Sequence, residues 1–285
     1  MTDLPSDSQA IGNQTQDSSP TRSTSNATAI VLAAGKGTRM KSELPKVLFP
    51  VLGRPMIHWV LDALEQVGVR RTIVVVGYRA EDVQAELKKR VTPEGCLPIE
   101  FAVQDQQLGT GHAVQMCIPA LKEPSVASGQ QPVLVLAGDS PLVQASSLSE
   151  LLASFLQGQY ACLLGTLLKD NPEGLGRIVR DASGHFTGIV EHKDATPEQR
   201  AIREVNMSTY IFDKPRLLWA LGELTNNNAQ SEYYLTDCPS ILLRAGDHVD
   251  AKATLKACES LSINTIDELA MVENKMKELG YPCAS

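Results

Sequence analysis

The stretch Ala29-Ile30-Val31-Leu32-Ala33-Ala34-Gly35-Lys36-Gly37-Thr38-Arg39-Met40, followed by Leu44-Pro45-Lys46, decides how the rest of the chain is read. An apolar run that stops at two small residues and opens into a glycine-bearing, cationic loop is how a parallel strand delivers backbone N–H groups to a phosphate. Two familiar phosphate motifs fail here. A dinucleotide fingerprint needs Gly-x-Gly-x-x-Gly, and Met40 stands where the third glycine should be; the Walker pattern Gly-x-x-x-x-Gly-Lys-[Ser/Thr] does not occur. What remains is Gly35-x-Gly37 with two cations, Arg39 and Lys46, within one loop's reach. Glycine lets a backbone approach an anion, and Arg and Lys neutralise charge between phosphates. The loop reads as the seat of a nucleoside triphosphate, against the plainer reading of a solvated turn with surface cations.

Outward from this loop, short β-branched runs alternate with longer amphipathic ones, the pattern of a parallel sheet wrapped by helices. Strands are expected at Ala29–Ala33, Thr72–Val76, Ile99–Val103 and Val133–Ala137. Helices are expected from Pro55 to Gly68, over Ala80–Lys89, over Thr110–Leu121, and from Ser146 to about Leu156. Beyond Gln159 the texture changes. Ala161–Leu168, Arg177–Arg180, Phe186–Val190 and Met207–Phe212 read as an antiparallel strand elaboration over about 160–230, a sugar-facing region of the same domain. Helices at Pro215–Leu221 and Leu235–Ala245, a last strand ending at Ser262-Ile263-Asn264, and a closing helix capped by Asp267 and stopped by Gly280 complete the expectation.

Residues 1–27 are polar and nearly free of large apolar side chains, so they read as a disordered tail ahead of one domain over 28–285. With 285 residues, 43% of them hydrophobic, the chain can bury a large core. A formal charge of −7 argues against a nucleic-acid partner, because a phosphate backbone is held by clustered Lys and Arg. Six widely spaced cysteines, with no Cys-x-x-Cys pair, read as reduced thiols. No run approaches the roughly 18 apolar residues of a membrane span and no apolar signal core is seen, which makes the cytoplasm the default compartment.

Other loops carry weaker signals. Gly138-Asp139-Ser140-Pro141 follows the most apolar strand, and ligands collect at the carboxyl ends of strands in open α/β sheets. Asp139 can serve Mg²⁺, which prefers one or two carboxylates plus substrate phosphates and water; it can equally cap the next helix. Gln104 offers a donor and an acceptor to a base edge, and Gly109-Thr110-Gly111 permits close approach of a ring. Gly174-Leu175-Gly176-Arg177 and Glu191-His192-Lys193-Asp194 are ambiguous alone. His58, His112, His185, His192 and His248 lack an evident triad or metal partner and read as core or surface histidines.

Taken together, Leu32 to Met40, Leu44-Pro45-Lys46, Gln107-Leu108-Gly109-Thr110-Gly111, Gly138-Asp139-x-Pro141-Leu142, Gly188 to Ala195 and Leu224 to Asp237 resemble the uridylyltransferase domain of bacterial bifunctional N-acetylglucosamine-1-phosphate uridylyltransferases. The first motif marks sugar nucleotidyltransferases broadly; Glu-His-Lys-Asp and Asn-Asn-Asn-Ala-Gln are narrower. The resemblance spans about residues 28–275 and implies a Rossmann-like, mostly parallel sheet flanked by helices, the nucleotide-diphospho-sugar transferase fold. It also implies that Leu32, Ala33, Gly35, Gln104, Gly109 and Thr110 meet the uridine end and that Arg39 and Lys46 meet the triphosphate. Asp139 and Asn264 would hold Mg²⁺, and Gly176, Glu191 and Asn206 would face the sugar.

The implied reaction is UTP plus N-acetylglucosamine 1-phosphate giving UDP-N-acetylglucosamine and pyrophosphate, a step toward peptidoglycan. Three departures stand out: Ala137 where Tyr is common, Asn206-Met207-Ser208 for Asn-Thr-Gly, and Ile263-Asn264-Thr265 for Val-Asn-Asn or Val-Asn-Asp. No hexapeptide repeat of a C-terminal β-helix is present, so uridylyl transfer alone is expected, with no trimer assumed. The other readings are a nucleotidyltransferase for a different sugar phosphate, cytidylyl or molybdopterin guanylyl transfer, and a non-catalytic module that binds UDP-sugars.

Overall fold

The computed structural model describes residues 26–40, 42–96, 98–123, 129–228, 230–263 and 265–283. Most of the expected N-terminal tail, residues 1–25, and the expected metal ligand Asn264 lie outside the described residues. In chain order the strands are β1 Thr28–Ala33, β2 Pro50–Val51, β3 Arg54–Pro55, β4 Arg71–Val76, β5 Glu100–Val103, β6 Pro132–Ala137, β7 Cys162–Leu168, β8 Arg177–Arg180, β9 Phe186–Val190, β10 Glu204–Asp213 and β11 Val249–Lys252. The helices are α1 Met56–Val67, α2 Ala80–Leu87, α3 Thr110–Gln115, α4 Ile118–Leu121, α5 Ala145–Gly158, α6 Pro197–Arg200, α7 Lys214–Gly222, α8 Asp237–Arg244 and α9 Ile266–Glu278.

The main sheet runs β11-β7-β10-β6-β1-β4-β5, with the β8–β9 hairpin joined to β10. Strands β6, β1, β4 and β5 are parallel, β11 runs parallel to β7, and β10 is antiparallel to both its neighbours. The central strands are apolar throughout because both faces are covered. Ile30, Ile73, Val135 and Tyr210 point into one core with α3, α7 and α8, while Val31, Val74, Leu134 and Ile211 point into another with α1, α2 and α5. Burying these side chains at roughly 25 cal/mol per Å² is the main term holding the layers together. A third cluster of Met40, Val51, Leu52, Met56, Trp59, Leu142, Ile263, Val272 and Met276 docks α9 over the β2–β3 hairpin.

The strands on either side of the phosphate loop follow the expectation to within a residue, and α1 ends at Gly68 in the left-handed conformation. Four points differ. β7 and β10 are interior strands of the main sheet, and only β8–β9 stands off it. The expected helix over Thr110–Leu121 is two short helices parted at Met116 and Cys117, ahead of Pro119, which has no N–H to continue the ladder. Residues 261–263 form no strand; the last strand is β11, a short edge whose polar residues hide its period. Thr265, not Asp267, caps α9: its side chain accepts from Glu268 N, and the Glu268 side chain accepts from Thr265 N.

All six cysteines are free, three of them buried, and burial pushes the Cys117 thiol up to about 12. Among the described residues, no helix is long and apolar enough to cross a membrane.

Candidate active site

The parallel register brings the decisive loops side by side. Leu32 pairs with Ala137, Ala33 with Val76, and Val76 with Val103, so β1, β6, β4 and β5 end at one level. Gly138 N donates to Leu32 O at 2.9 Å and Gln104 N to Val76 O at 2.8 Å, carrying each loop straight off its strand. The carboxyl ends of parallel strands are where open α/β sheets place ligands.

A cleft of about 330 Å³ opens there, lined by Leu32, Ala33, Ala34, Gly35, Lys46, Val47, Gln104, Gln107, Gly109, Thr110, Ala113, Ala137, Asp139, Ser208 and Glu232. Eight of the expected site residues therefore line one cleft: Leu32, Ala33, Gly35, Lys46, Gln104, Gly109, Thr110 and Asp139. A Cβ placed on Gly35 would meet nothing within 4 Å, so the backbone there faces open space. Gly37 is needed for a different reason: at φ 64° its Cβ would strike Lys46 Cβ at 2.8 Å. The close approach lays the Lys46 chain across the loop. Its ammonium then meets Asp139 Oδ2 at 2.5 Å, with the two side chains 13% and 28% exposed.

The opposite wall is fixed by long-range contacts. Gly109 sits at φ 105°, and a Cβ there would fall 2.5 Å from Tyr233 O. Tyr233 N donates to Leu108 O at 2.7 Å and Gly111 N to Tyr233 O at 2.7 Å, so the 231–235 segment is zipped to the Gly109 loop. The Gln104 amide nitrogen donates to Gly109 O at 3.0 Å and lies 3.1 Å from His112 Nδ1. With both amide hydrogens engaged, Oε1 is the atom Gln104 can offer a base N–H. Gln107 Nε2 donates to Ala34 O at 2.7 Å and ties this wall to the phosphate loop.

Gly176, Glu191 and Asn206 form a second group, outside that lining. Asn206 N donates to Gly176 O at 2.9 Å, and a Cβ on Gly176 would lie 3.6 Å from Glu191 Oε2. Burial holds the Glu191 carboxyl above its ordinary range, Asp194 and Asp237 add to this, and the Thr236 hydroxyl opposes it. Arg177, 1% exposed, donates to Leu175 O and Arg200 O and lies 3.3 Å from His192 Nδ1, which pins the loop carrying Glu191. Arg39 lies exposed in the 3-10 turn Thr38–Met40, outside the cleft lining.

Sequence reasoning did not single out Gln107, Ser208 or Glu232 as site residues. Gln107 stood in a quoted motif, and Ser208 had a signal as a non-glycine in a turn; Glu232 had none beyond its neighbours. No group of three or more His, Cys, Asp or Glu converges among the described residues. The Asp139 carboxylate, partly exposed beside that opening, nevertheless suits a cation that draws its other ligands from substrate and water.

Residues 29–185 match the MobA-like NTP transferase domain family. The bifunctional protein GlmU of Exiguobacterium sp. is 46% identical over 250 residues, 88% of this chain and 52% of the relative. Its counterpart in Streptococcus suis is 43% identical over 254 residues, 89% of this chain and 52% of the relative. The chain thus spans about half the length of the curated relatives it matches. A Bacillus anthracis structure assigned as a glucose-1-phosphate thymidylyltransferase, in complex with a sucrose, superposes with a TM-score of 0.70 at 18% identity, covering 88% of this chain and 96% of that one. That likeness concerns the fold.

Proposed function

Since the chain belongs to the MobA-like NTP transferase domain family, we propose that it transfers uridylyl from UTP to N-acetylglucosamine 1-phosphate, releasing pyrophosphate. The observation that carries this reading is the Lys46–Asp139 pair at the mouth of β1 and β6, with Gly35 open beside it. A cation and a metal-competent carboxylate stand together where a triphosphate would bend. The likeness to bifunctional GlmU proteins supports the choice of sugar and nucleotide.

The acceptor phosphate is already ionised near neutral pH, so no general base is required. Catalysis then rests on positioning and on neutralising charge as the α-phosphorus passes from one oxygen to another in line. Gly35 exposes backbone to the phosphates, Lys46 turns from Asp139 to the triphosphate, and Arg39 swings in from its exposed turn. Gln104 Oε1 accepts from the uracil, Gly109 and Thr110 close over the ring, and Leu32 and Ala33 floor it. Asp139, with Asn264, would hold Mg²⁺, which supplies charge stabilisation to the phosphates. Gly176, Glu191 and Asn206 receive the sugar.

A panel of UTP, ATP, CTP, GTP and TTP, each paired with N-acetylglucosamine 1-phosphate and with other sugar 1-phosphates and read by pyrophosphate release, tests this. UTP with N-acetylglucosamine 1-phosphate should exceed every other pair at least tenfold. A different preferred pair would replace the proposal, and silence with all pairs would point to a binding module.

A further inference from the structure

Strand β10 is interrupted where it reaches the cleft. Asn206 faces Thr166 and the next paired residue, Thr209, faces Gly165, so Met207 and Ser208 are extra residues without a partner on β7. The bulge sends them to different places. Met207 packs with Leu167, Val205 and Leu255, whereas Ser208 lines the cleft along with Ala137 and Asp139. Ser208 is also held left-handed at φ 53°, where a Cβ crowds the following carbonyl and only glycine sits without penalty. Among the described residues five non-glycine residues have positive φ, and of these Ser208 alone lines the cleft. Strain and bulges persist at functional sites because they aim a side chain.

Asn206 supports that turn. Its Oδ1 accepts from Ser208 N at 3.2 Å and its Nδ2 donates to Tyr210 Oη at 2.7 Å, so half of its amide's capacity is spent inside the protein. The Ser208 side chain next to it is exposed. The sheet order separates the two ends of the cleft. Gln104, Gly109 and Thr110 follow β5, and Ser208 stands on β10, with β6, β1 and β4 between them.

We infer that Ser208 is a specificity-determining contact whose hydroxyl hydrogen-bonds the sugar phosphate acceptor, with Asn206 as the residue that positions it. The inference rests on the uridylyl-transfer reading above. Two substitutions separate hydroxyl from strain: Ser208→Ala removes the first and keeps the second, while Ser208→Gly removes both. KM is measured on the full chain for N-acetylglucosamine 1-phosphate and for UTP, with a melting curve for each protein.

Loss of one neutral hydrogen bond corresponds to roughly a five- to tenfold loss of affinity. Both variants should therefore raise the acceptor KM by about that factor and leave the UTP KM within twofold. Only Ser208→Gly should gain stability, roughly 2–4 °C in Tm. An acceptor KM within twofold of the parent in both variants overturns the inference, as does a rise in the UTP KM instead. If the parent itself makes no product from this pair, the activity reading fails and takes the inference with it, before any variant is compared.

Discussion

Replacing Lys46 by alanine separates what this side chain does for folding from what it does for turnover. In the folded chain its ammonium lies 2.5 Å from Asp139 Oδ2, and the two side chains remain 13% and 28% exposed. A pair this open to water is worth at most about 1–2 kcal/mol, since solvent screens it and desolvation offsets part of the attraction. The expected loss of Tm is roughly 2–4 °C for each kcal/mol in a protein of this size. The cost to transfer is larger, because the same ammonium is asked to meet charge that develops between phosphates in a sheltered cleft. Deleting one such donor costs about 2.7–4 kcal/mol, or a fall of 10²–10³ in kcat. Asp139 meanwhile loses the cation that a metal must displace. Lys46→Ala should thus bind Mn²⁺ more tightly without nucleotide, by about fivefold for 1 kcal/mol. Pyrophosphate release measures the first effect and Mn²⁺ paramagnetic resonance the second. Turnover within tenfold of the parent, or weaker Mn²⁺ binding, would refute the reasoning.

Asp139→Asn keeps the shape and removes the charge, so the Mg²⁺ concentration for half-maximal rate should rise by at least about tenfold; equal rates with and without added metal would show the residue has no such role. Gly109→Ala forces a Cβ to within 2.5 Å of Tyr233 O at φ 105°. It should cost about 2 kcal/mol or more and lower Tm by several degrees, and a variant that melts with the parent would contradict the packing. Glu191→Gln tests the raised carboxyl. A carboxyl that binds its proton more tightly when folded subtracts stability above its folded pKa, and that deficit closes as pH falls below the unfolded value of about 4.3. The glutamine variant should melt higher than the parent at pH 8, lose the advantage near pH 4, and bind acceptor less well; a Tm difference constant across pH would count against the argument.

Much of the parallel half was legible because its strands are buried on both faces and end in loops of distinctive chemistry. Ala29 to Arg39 shows strand, glycine and cation in one reading frame, and Val133 to Asp139 shows strand, glycine and carboxylate. What escaped depends on partners far away. β11 is visible only as a ladder on β7, since Val249-Asp250-Ala251-Lys252 has no apolar run of its own. Ser262-Ile263 resembles a strand end because Ile263 is fully buried, yet it is a plug in the α9 cluster. Pro50–Val51 and Arg54–Pro55 pair as a hairpin too short to register by periodicity. Glu232 lines the cleft because the 231–235 segment is zipped onto Gly109 and Gly111, a contact across more than a hundred residues. The trio expected to face a sugar was nameable only through the resemblance; nothing local to Gly176 or Asn206 announces that they touch.

The sheet order has a bearing on how such a chain can diversify. Everything expected to recognise the nucleotide base and phosphates lies on β1, β5 and the loops beside them, before Asp139 in the chain. The groups assigned to the acceptor hang from β8, β9 and β10, after it. The two inventories meet along the seam between β6 and β10, and again where the 231–235 segment is zipped to the Gly109 loop. The β8–β9 hairpin, which joins the main sheet only through β10, can therefore be randomised in a library while the strands and loops of the donor half, including the 231–235 segment, are kept. Exchange confined to residues 177–190 would vary the acceptor side on the proposed reading while preserving the four paired residues Tyr210 to Asp213 and the contacts of Tyr233 with the Gly109 loop.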